Sequence, residues 1–277
     1  MKPLPKTPLV SIVTPSFNTG RFIEETLRSV RQQGYPRVEH IVLDSESTDE
    51  TPEVLARFPS VRLIRPAPAG LTEKTNLGFS IAKGDIVAWL CADDYLLPDA
   101  IAKAVEALQK NPDAALVYCN FMHVDEHSKE LDRPRSKQAG FRDLVEEHCW
   151  VPSQTAFMRR EALERVGPVS AGYMHVADWD LYIRISKNFP ILYIDDWWAA
   201  SRVRKGQLAD VHKYTFWIQA RKMTRGYGAR FFSPLFWDFW RGKFSRASLL
   251  LLRGQFRAFK SKLHDFLVGF VVRLGRH

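Results

Sequence analysis

Two adjacent carboxylates, Asp93 and Asp94, follow directly on the apolar run 86–90 in "IVAWLCADDYLLP". Carboxylates side by side at a strand end repel each other unless a partner neutralises them, and hard cations such as Mg²⁺ and Mn²⁺ prefer oxygen ligands. Aspartate is also a favoured turn residue, so this pair alone leaves a purely structural role open. The pair therefore indicates a candidate metal site that needs support from other residues.

Other strand ends supply that support. "LVSIVTPSFN" (9–18) is an apolar run that ends in polar residues, and "VEHIVLDSES" (38–47) brings Asp44 to the end of a second run. Ligands of open α/β sheets bind at the carboxyl ends of the strands, so Asp44, Asp93 and Asp94 are predicted to converge. The sequence contains neither GxGxxG nor GxxxxGK[ST], which excludes both the dinucleotide fingerprint and the P-loop. Without such a loop to bind phosphate, a divalent cation that bridges the carboxylates to a diphosphate is the alternative.

The elements that position these acids alternate along the chain. Apolar periodicity predicts strands within 9–18, 38–47, 61–70, 85–94 and 114–126, separated by helices near 21–33, 48–58, 71–84 and 97–112. This alternation predicts an α/β fold with a mostly parallel sheet flanked by helices. After residue 130 the alternation of strands and helices becomes less regular, and from residue 210 onward the sequence predicts helix. We expect one domain over residues 1–207 and a basic helical region over 208–277.

Composition limits the class of protein. The 277 residues are 45% hydrophobic and 26% charged, which is typical of a globular chain. The three cysteines, Cys91, Cys119 and Cys149, lack metal-site spacing and suggest a reducing compartment. The sequence shows no export signal and no run of membrane-spanning length. We expect a cytoplasmic protein that is not an integral membrane protein.

The charge is unevenly distributed. Residues 201–277 hold 17 Lys and Arg against three Asp, whereas the first 200 residues hold 23 against 28 acids. From Phe256 to Leu274, apolar residues recur at helical spacing and basic residues surround them. Such a helix fits an anionic membrane surface on the inner face of the cell membrane. Packing on the "LFWDFWRGKF" segment or on a partner subunit is the alternative, and no nucleic-acid reading motif is present.

Three ordered motifs resemble those of the family 2 glycosyltransferases. "TPSFN" is similar to their Thr-Pro-x-Tyr-Asn signature, "LDSESTDET" to Asp-(Asp/Gly)-Gly-Ser-Thr-Asp-x-Thr, and "LCADDYLLP" to their acidic DxD-type segment. The resemblance spans about residues 8–207. It implies the GT-A fold, with a nucleotide-sugar half over about 8–125 and an acceptor half over about 126–207. It also implies inverting transfer of a sugar from a nucleoside diphosphate donor, expected to be UDP-linked, in cell-surface polysaccharide or glycolipid assembly.

The resemblance assigns the nucleotide-binding residues by position. Phe17 and Asp44 would flank and hydrogen-bond the base, with the backbone of Pro15 nearby and Lys74 close to the nucleotide. Phe17 replaces the usual tyrosine and keeps a stacking face, although a plain core aromatic is an alternative. Asp93 would address the ribose and the diphosphate.

The metal site departs from the family pattern. Cys91 stands where relatives carry Asp or Asn, and a thiol is a poor ligand for a hard cation. We therefore expect Mg²⁺ or Mn²⁺ to bind Asp94 first, with Asp93 as a second ligand, and Cys91 to be a packing residue. Ser45 and Glu46 also replace the small pair of the second motif and add bulk beside the base pocket.

The acceptor half supplies the expected general base. "HVADWDLYIRIS" resembles the family's Glu-Asp-x-Asp-Leu segment, whose first Asp corresponds to Asp178, while Ala177 replaces the preceding Glu. A carboxylate within reach of an acceptor hydroxyl can take its proton, although an N-cap role for Asp178 is the alternative. Asp180 is expected to brace the loop.

Two further segments are candidates for donor contacts. Gln154, in "CWVPSQTAF", stands near the position of a family His-Gln pair, with a structural turn as the alternative. Arg202 and Arg204, in "SRVRKGQLAD", are expected to close over the leaving diphosphate, with a solvated basic loop as the alternative.

Two other classes of protein compete with this interpretation. A nucleotidyltransferase also uses metal-bound carboxylates, but "TPSFNTGRF" lacks the Gly-rich basic loop that such enzymes need after their first strand. A catalytically degenerate glycosyltransferase-like membrane scaffold is the non-enzymatic alternative, and Cys91 and Ala177 are the residues that favour it.

Overall fold

A computed structural model describes residues 1–204, 213–231 and 233–237, and these residues form a mixed α/β structure. The chain divides into two compact units, one formed by residues 1–144 and 149–219 and the other by 145–148 and 220–277. All the candidate site residues lie in the first unit. In the second unit, the Arg221 guanidinium lies 4.5 Å from the ring centroid of Phe236 and 5.6 Å from that of Phe231.

One nine-stranded sheet organises the first unit. Its strands are β1 (Val10–Ser16), β2 (Val38–Asp44), β3 (Arg62–Ile64), β4 (Ile86–Trp89), β5 (Tyr95–Leu96), β6 (Leu116–Val124), β7 (Glu130–Asp132), β8 (Phe157–Arg159) and β9 (Ile191–Arg202). The order across the sheet is β3-β2-β1-β4-β8-β6-β9-β5, and β7 pairs with β6.

The first half of the sheet is parallel. β1 lies between β2 and β4, with Ser16 opposite Asp44 and Val13 opposite Trp89. Both faces of these strands are buried, which explains why their sequences are continuous apolar runs rather than alternating ones. The carboxyl ends of β1, β2 and β4 therefore meet at one edge.

The second half is mixed. β8 inserts antiparallel between β4 and β6, and two antiparallel pairings in succession leave β6 parallel to β4. β9 runs parallel to β6, so its end at Arg202 also reaches the edge that carries Asp44. β5 pairs antiparallel with β9, where Tyr95 lies opposite Ala200, and this pairing places the segment after Asp94 against the end of β9.

The described part of the chain includes the helices α1 (Gly20–Arg31), α2 (Thr51–Ala56), α3 (Leu71–Ile81), α4 (Ala100–Lys110), α5 (Phe141–Glu146), α6 (Arg160–Val166), α7 (Ala177–Asn188) and α8 (Lys213–Gly226), with a 3-10 turn at Ser153–Thr155. Helix α1 turns Ile23, Leu27 and Val30 toward the sheet and keeps its charged residues outside. Among the described residues, no helix has the length and apolar character needed to cross a membrane.

The sequence predictions of the fold are confirmed in outline. The α/β class, the alternating order and the strands and helices through residue 124 are as expected. The short strands β5 and β7 were not predicted, because two or three residues carry no periodic signal. The expected domain boundary at 207 lies within residues 205–212, which are outside the described residues, as does the amphipathic segment 256–274.

Candidate active site

The loop that follows β1 is tied to the loop that follows β2. The backbone N–H of Asn18 donates to Ser47 Oγ at 2.8 Å, and the N–H of Thr48 donates to Asn18 Oδ1 at 2.9 Å. The start of α1 lies so close to α2 that a Cβ atom on Gly20 would be 2.7 Å from the Thr51 backbone nitrogen, so only glycine fits there. These contacts fix the end of β1 and leave the side chain of Phe17 57% exposed.

Phe17, Lys74 and Asp44 form one group at this edge. Lys74 Nζ lies 5.7 Å from the Phe17 ring centroid and donates to the Ser16 carbonyl at 2.7 Å. Burial lowers the pKa of Lys74, and the neighbouring Asp44 carboxylate opposes that shift. The exposure of Phe17 does not fit the alternative of a core aromatic, whereas Pro15 is buried in β1 opposite Leu43.

Asp44 is buried, and its carboxylate accepts a hydrogen bond from Ser47 Oγ at 2.6 Å. Between them, Glu46 adopts a left-handed conformation with φ of 53°. Glycine is the residue that enters this region at least cost, which gives a physical reason for the glycine of the family motif. A glutamate at the position of that glycine therefore stores a small backbone strain beside Asp44.

The carboxylates of Asp93 and Asp94 lie together with the thiol of Cys91. One potential ligand atom from each of the three residues lies within 4.8 Å of the others, and within the described residues no second group of this kind occurs. Burial, and then repulsion by Asp93, raises the pKa of Asp94 to about 8. Burial also raises the pKa of the Cys91 thiol well above its usual value, with Asp94 and Asp93 adding to the effect.

Two arginines at the end of β9 hold the Asp93-Asp94 turn from different sides. Arg204 Nε lies 3.0 Å from Asp93 Oδ2 and forms an ion pair with it. The backbone N–H of Arg202 donates to Asp94 Oδ1 at 2.9 Å, and Arg202 Nε donates to the Asp93 carbonyl at 3.0 Å. The Arg202 side chain is only 1% exposed, so its placement does not support the predicted contact with a diphosphate. Arg204 is half-buried and remains at the position where that contact is expected.

Asp178 lies in the first turn of α7. The residue that caps this helix is Val176, and Asp178 Oδ1 instead accepts from the Trp179 N–H at 2.8 Å, so the N-cap alternative is not supported. Burial raises the pKa of Asp178, as a general base requires. The pKa of Cys91 is raised first by burial, then by Asp94 and Asp93, and then by Asp178. The Asp178 carboxylate therefore lies close enough to the group Cys91, Asp93 and Asp94 to act on it electrostatically.

Packing fixes the orientation of α7. Trp179 is buried and its Nε1 donates to the Leu144 carbonyl at 2.8 Å. Asp180 pairs with Arg184 at 2.9 Å, and Arg184 in turn donates to the Val166 carbonyl at 2.7 Å, so Asp180 braces the segment that follows α6. Gln154 is buried in the 3-10 turn.

Two residues of this region were missed by sequence reasoning. Glu25 on α1 and Ser128 in the turn after β6 both contact the Arg202 side chain. Glu25 reads as an ordinary exposed helix position, and its partner lies 177 residues away in the chain. No local signal could have found this pair.

The fold and this edge define a class of protein: a GT-A type α/β domain whose strand ends present an exposed aromatic ring (Phe17), a buried carboxylate (Asp44) and an acidic turn (Asp93 and Asp94). The sequence model described as Glycosyl transferase family 2 matches residues 11–167. The chain therefore belongs to the family 2 glycosyltransferases.

Named relatives agree with this family. The chain is 31% identical over 191 residues to the O-antigen biosynthesis protein RfbC of Myxococcus xanthus, a match that covers 66% of this chain and 15% of that protein. It is 24% identical over 214 residues to a chondroitin synthase of Escherichia coli, covering 76% of this chain and 31% of that protein. An uncharacterised glycosyltransferase, RP339 of Rickettsia prowazekii, is 23% identical and matches 94% of this chain and 80% of its own length.

Solved structures show the same fold. S. aureus TarS in complex with UDP-GlcNAc superimposes with a TM-score of 0.65 at 17% identity, covering 94% of this chain and 81% of that chain. The mannosyltransferase PcManGT from Pyrobaculum calidifontis, in complex with GDP-Man and Mn²⁺, gives a TM-score of 0.63 at 19% identity and covers 99% and 89% of the two chains.

Proposed function

We propose that this protein transfers a sugar from a nucleoside diphosphate sugar, UDP-linked by expectation, to a hydroxyl of an acceptor, with inversion at the anomeric carbon. The observation that carries the proposal is that Phe17, Asp44 and Asp93 lie at or just beyond the carboxyl ends of three neighbouring parallel strands, which share one edge of the sheet. Phe17 offers an exposed face for a base, and Asp44 and Lys74 beside it offer an acceptor and a donor of hydrogen bonds. TarS, which has the same fold, was crystallised with UDP-GlcNAc.

The acidic turn fits a divalent cation through its carboxylates. Asp94 has one oxygen engaged by the Arg202 N–H and is almost fully buried. The Asp93 side chain is 16% exposed and pairs with the Arg204 guanidinium, whose side chain is 31% exposed. This geometry favours Asp93 as the principal ligand and Asp94 as the residue that shapes the turn, which reverses the order expected from sequence. Mg²⁺ or Mn²⁺ held there would neutralise the charge of the donor diphosphate.

Asp178 is the proposed general base. In a single displacement, the acceptor oxygen forms a bond to the anomeric carbon while the bond from that carbon to the diphosphate oxygen breaks. The proton of the acceptor hydroxyl passes to the Asp178 carboxylate, whose pKa burial raises toward the operating range. The nucleoside diphosphate leaves with the bonding electron pair.

Arg204 is proposed to contact the departing diphosphate. Its guanidinium lies on the carboxylate of Asp93, and a cation bound by Asp93 would replace that partner. A guanidinium released in this way can donate to phosphate oxygens, on which charge accumulates as the sugar departs. Gln154 is proposed to contact the donor sugar or the acceptor.

The acceptor is proposed to be a saccharide or a lipid-linked saccharide in cell-surface polysaccharide or glycolipid assembly. The proposal rests on the names of relatives, which include an O-antigen biosynthesis protein and a chondroitin synthase, each matched over less than a third of its length. The basic segment 256–274 is proposed to dock the cytoplasmic protein on the anionic inner face of the cell membrane, on sequence pattern and charge alone.

A thermal-shift panel of nucleotide sugars with Mn²⁺, Mg²⁺ or EDTA tests the donor, because a ligand bound by the native state alone raises apparent stability with its affinity. A UDP-sugar is expected to raise Tm most, and to raise it further with metal. Asp93→Asn is expected to remove the metal-dependent part of this rise in Tm. Asp113→Asn, at an exposed turn, is the matched control. Wild-type protein that binds a donor but transfers no sugar to any saccharide or lipid-linked acceptor would favour the degenerate scaffold.

A further inference from the structure

The guanidinium of Arg202 is buried and fully engaged, although it lies at the edge of the proposed site. Besides the Asp93 carbonyl, it donates to the Asp125 carbonyl at 2.9 Å, to Ser128 Oγ at 3.1 Å and to the carboxylate of Glu25. Ser128 Oγ also donates to both carboxylate oxygens of Glu25, at 2.9 and 2.7 Å. One side chain therefore joins α1, the turn after β6 and the acidic turn.

Two aromatic rings lie against the Arg202 guanidinium. Its Cζ lies 5.0 Å from the ring centroid of Phe22 and 5.9 Å from that of Tyr95. Phe22 lies in the first turn of α1, and Tyr95 directly follows Asp94. Cation–π contacts and desolvation by these rings strengthen an ion pair, but they also make it costly to remove either partner.

We propose that Glu25 and Arg202 form a positioning pair that sets the acidic turn for the metal-bound diphosphate, without touching the nucleotide. Arg202 acts at two points, since its Nε holds the carbonyl of Asp93 and its backbone N–H holds the carboxylate of Asp94. Glu25 fixes the guanidinium from the other side, so loss of its charge loosens the turn rather than the base pocket.

The inference rests on the proposed function, because it assumes that the turn holds a metal-bound diphosphate. Groups that orient metal ligands without binding the metal affect metal affinity by about 10- to 100-fold. The side chain of Glu25 is 42% exposed, so replacing it with the similarly shaped glutamine removes the charge without leaving a cavity.

The test uses the full chain and measures the affinity of UDP and of GDP by calorimetry, once with Mn²⁺ and once with EDTA. Glu25→Gln is expected to weaken the Mn²⁺-supported affinity about tenfold and to leave the affinity in EDTA unchanged. The Mn²⁺-supported affinity of the variant is expected to recover at higher Mn²⁺ concentration. Glu24→Gln is the matched control, because Glu24 is the adjacent residue of α1 and pairs with Arg28 and Arg57 instead.

Ser128→Gly is a second variant in case Glu25→Gln does not fold. Ser128 has a φ of 63°, which favours glycine, so this change removes the hydroxyl while preserving the turn. It is expected to weaken only the Mn²⁺-supported affinity.

The outcomes separate this inference from the function on which it rests. Mn²⁺-supported affinity that is unchanged in the folded variants, or an equal loss in Mn²⁺ and in EDTA, overturns the positioning pair alone. Wild-type protein that binds both nucleotides equally well with Mn²⁺ and with EDTA overturns the proposed metal site, and the inference with it.

Discussion

The buried His40 predicts that the stability of this protein falls in mild acid. His40 lies on β2, and its Nε2 is 2.9 Å from Thr14 Oγ1 on the neighbouring strand β1. Burial lowers the pKa of His40 from 6.5 to about 4. Well above pH 6.5 the residue is neutral in both the folded and the unfolded chain. As the pH falls through 6.5 toward 4, the unfolded chain binds a proton that the folded chain cannot, so stability is lost over this interval.

The size of this effect follows from the two pKa values. The complete shift corresponds to about 3 kcal/mol, at about 1.4 kcal/mol for each pKa unit. Between about pH 7.5 and about pH 5, proton linkage predicts that His40 contributes about 2 kcal/mol of lost unfolding free energy. Other groups, such as Asp94, also titrate, but they do so in the wild type and in a His40 variant alike.

Urea unfolding of wild type and His40→Gln at the two pH values isolates this contribution. The wild type is expected to lose about 2 kcal/mol more than the variant on acidification. His127→Gln, which removes an exposed imidazole, is expected to behave as the wild type does. Equal pH dependence in the wild type and in His40→Gln would refute the assignment of His40 as a buried neutral group.

Three further predictions address the site and the tail. Asp178→Asn is expected to lower kcat for sugar transfer about 10²- to 10⁴-fold at unchanged UDP affinity, and transfer at the wild-type rate would reject Asp178 as the base. Phe17→Ala is expected to weaken UDP binding by about 1 to 3 kcal/mol in calorimetry, through lost stacking, with Tm unchanged because the ring is exposed; unaltered affinity would place the base elsewhere. Deleting residues 245–277 is expected to abolish binding to anionic liposomes in a sedimentation assay, whereas binding that persists would exclude this segment as the membrane contact.

Much of the site could be predicted from sequence because strand ends are local features. The apolar runs before Asp93 and before Asp44 predict two buried strands. Both strands pair parallel with β1, so their carboxyl ends lie at one edge of the sheet. The exposure of Phe17 was less predictable, since an aromatic residue after a buried strand reads equally well as core. Only the contacts of the β1 and β2 loops show that its ring faces solvent.

The sequence by itself determined the α/β class, the alternation of strands and helices and the identity of the acids at the strand ends, because periodicity and turn residues act over a few neighbours. The tertiary structure alone decided the partner of each acid: Asp94 accepts from the backbone of Arg202, and Asp93 pairs with Arg204. The tertiary structure also decided that the Arg202 guanidinium contacts the Glu25 carboxylate. These contacts join residues more than 100 positions apart, where local pattern carries no information and only the packing of the sheet brings the groups together.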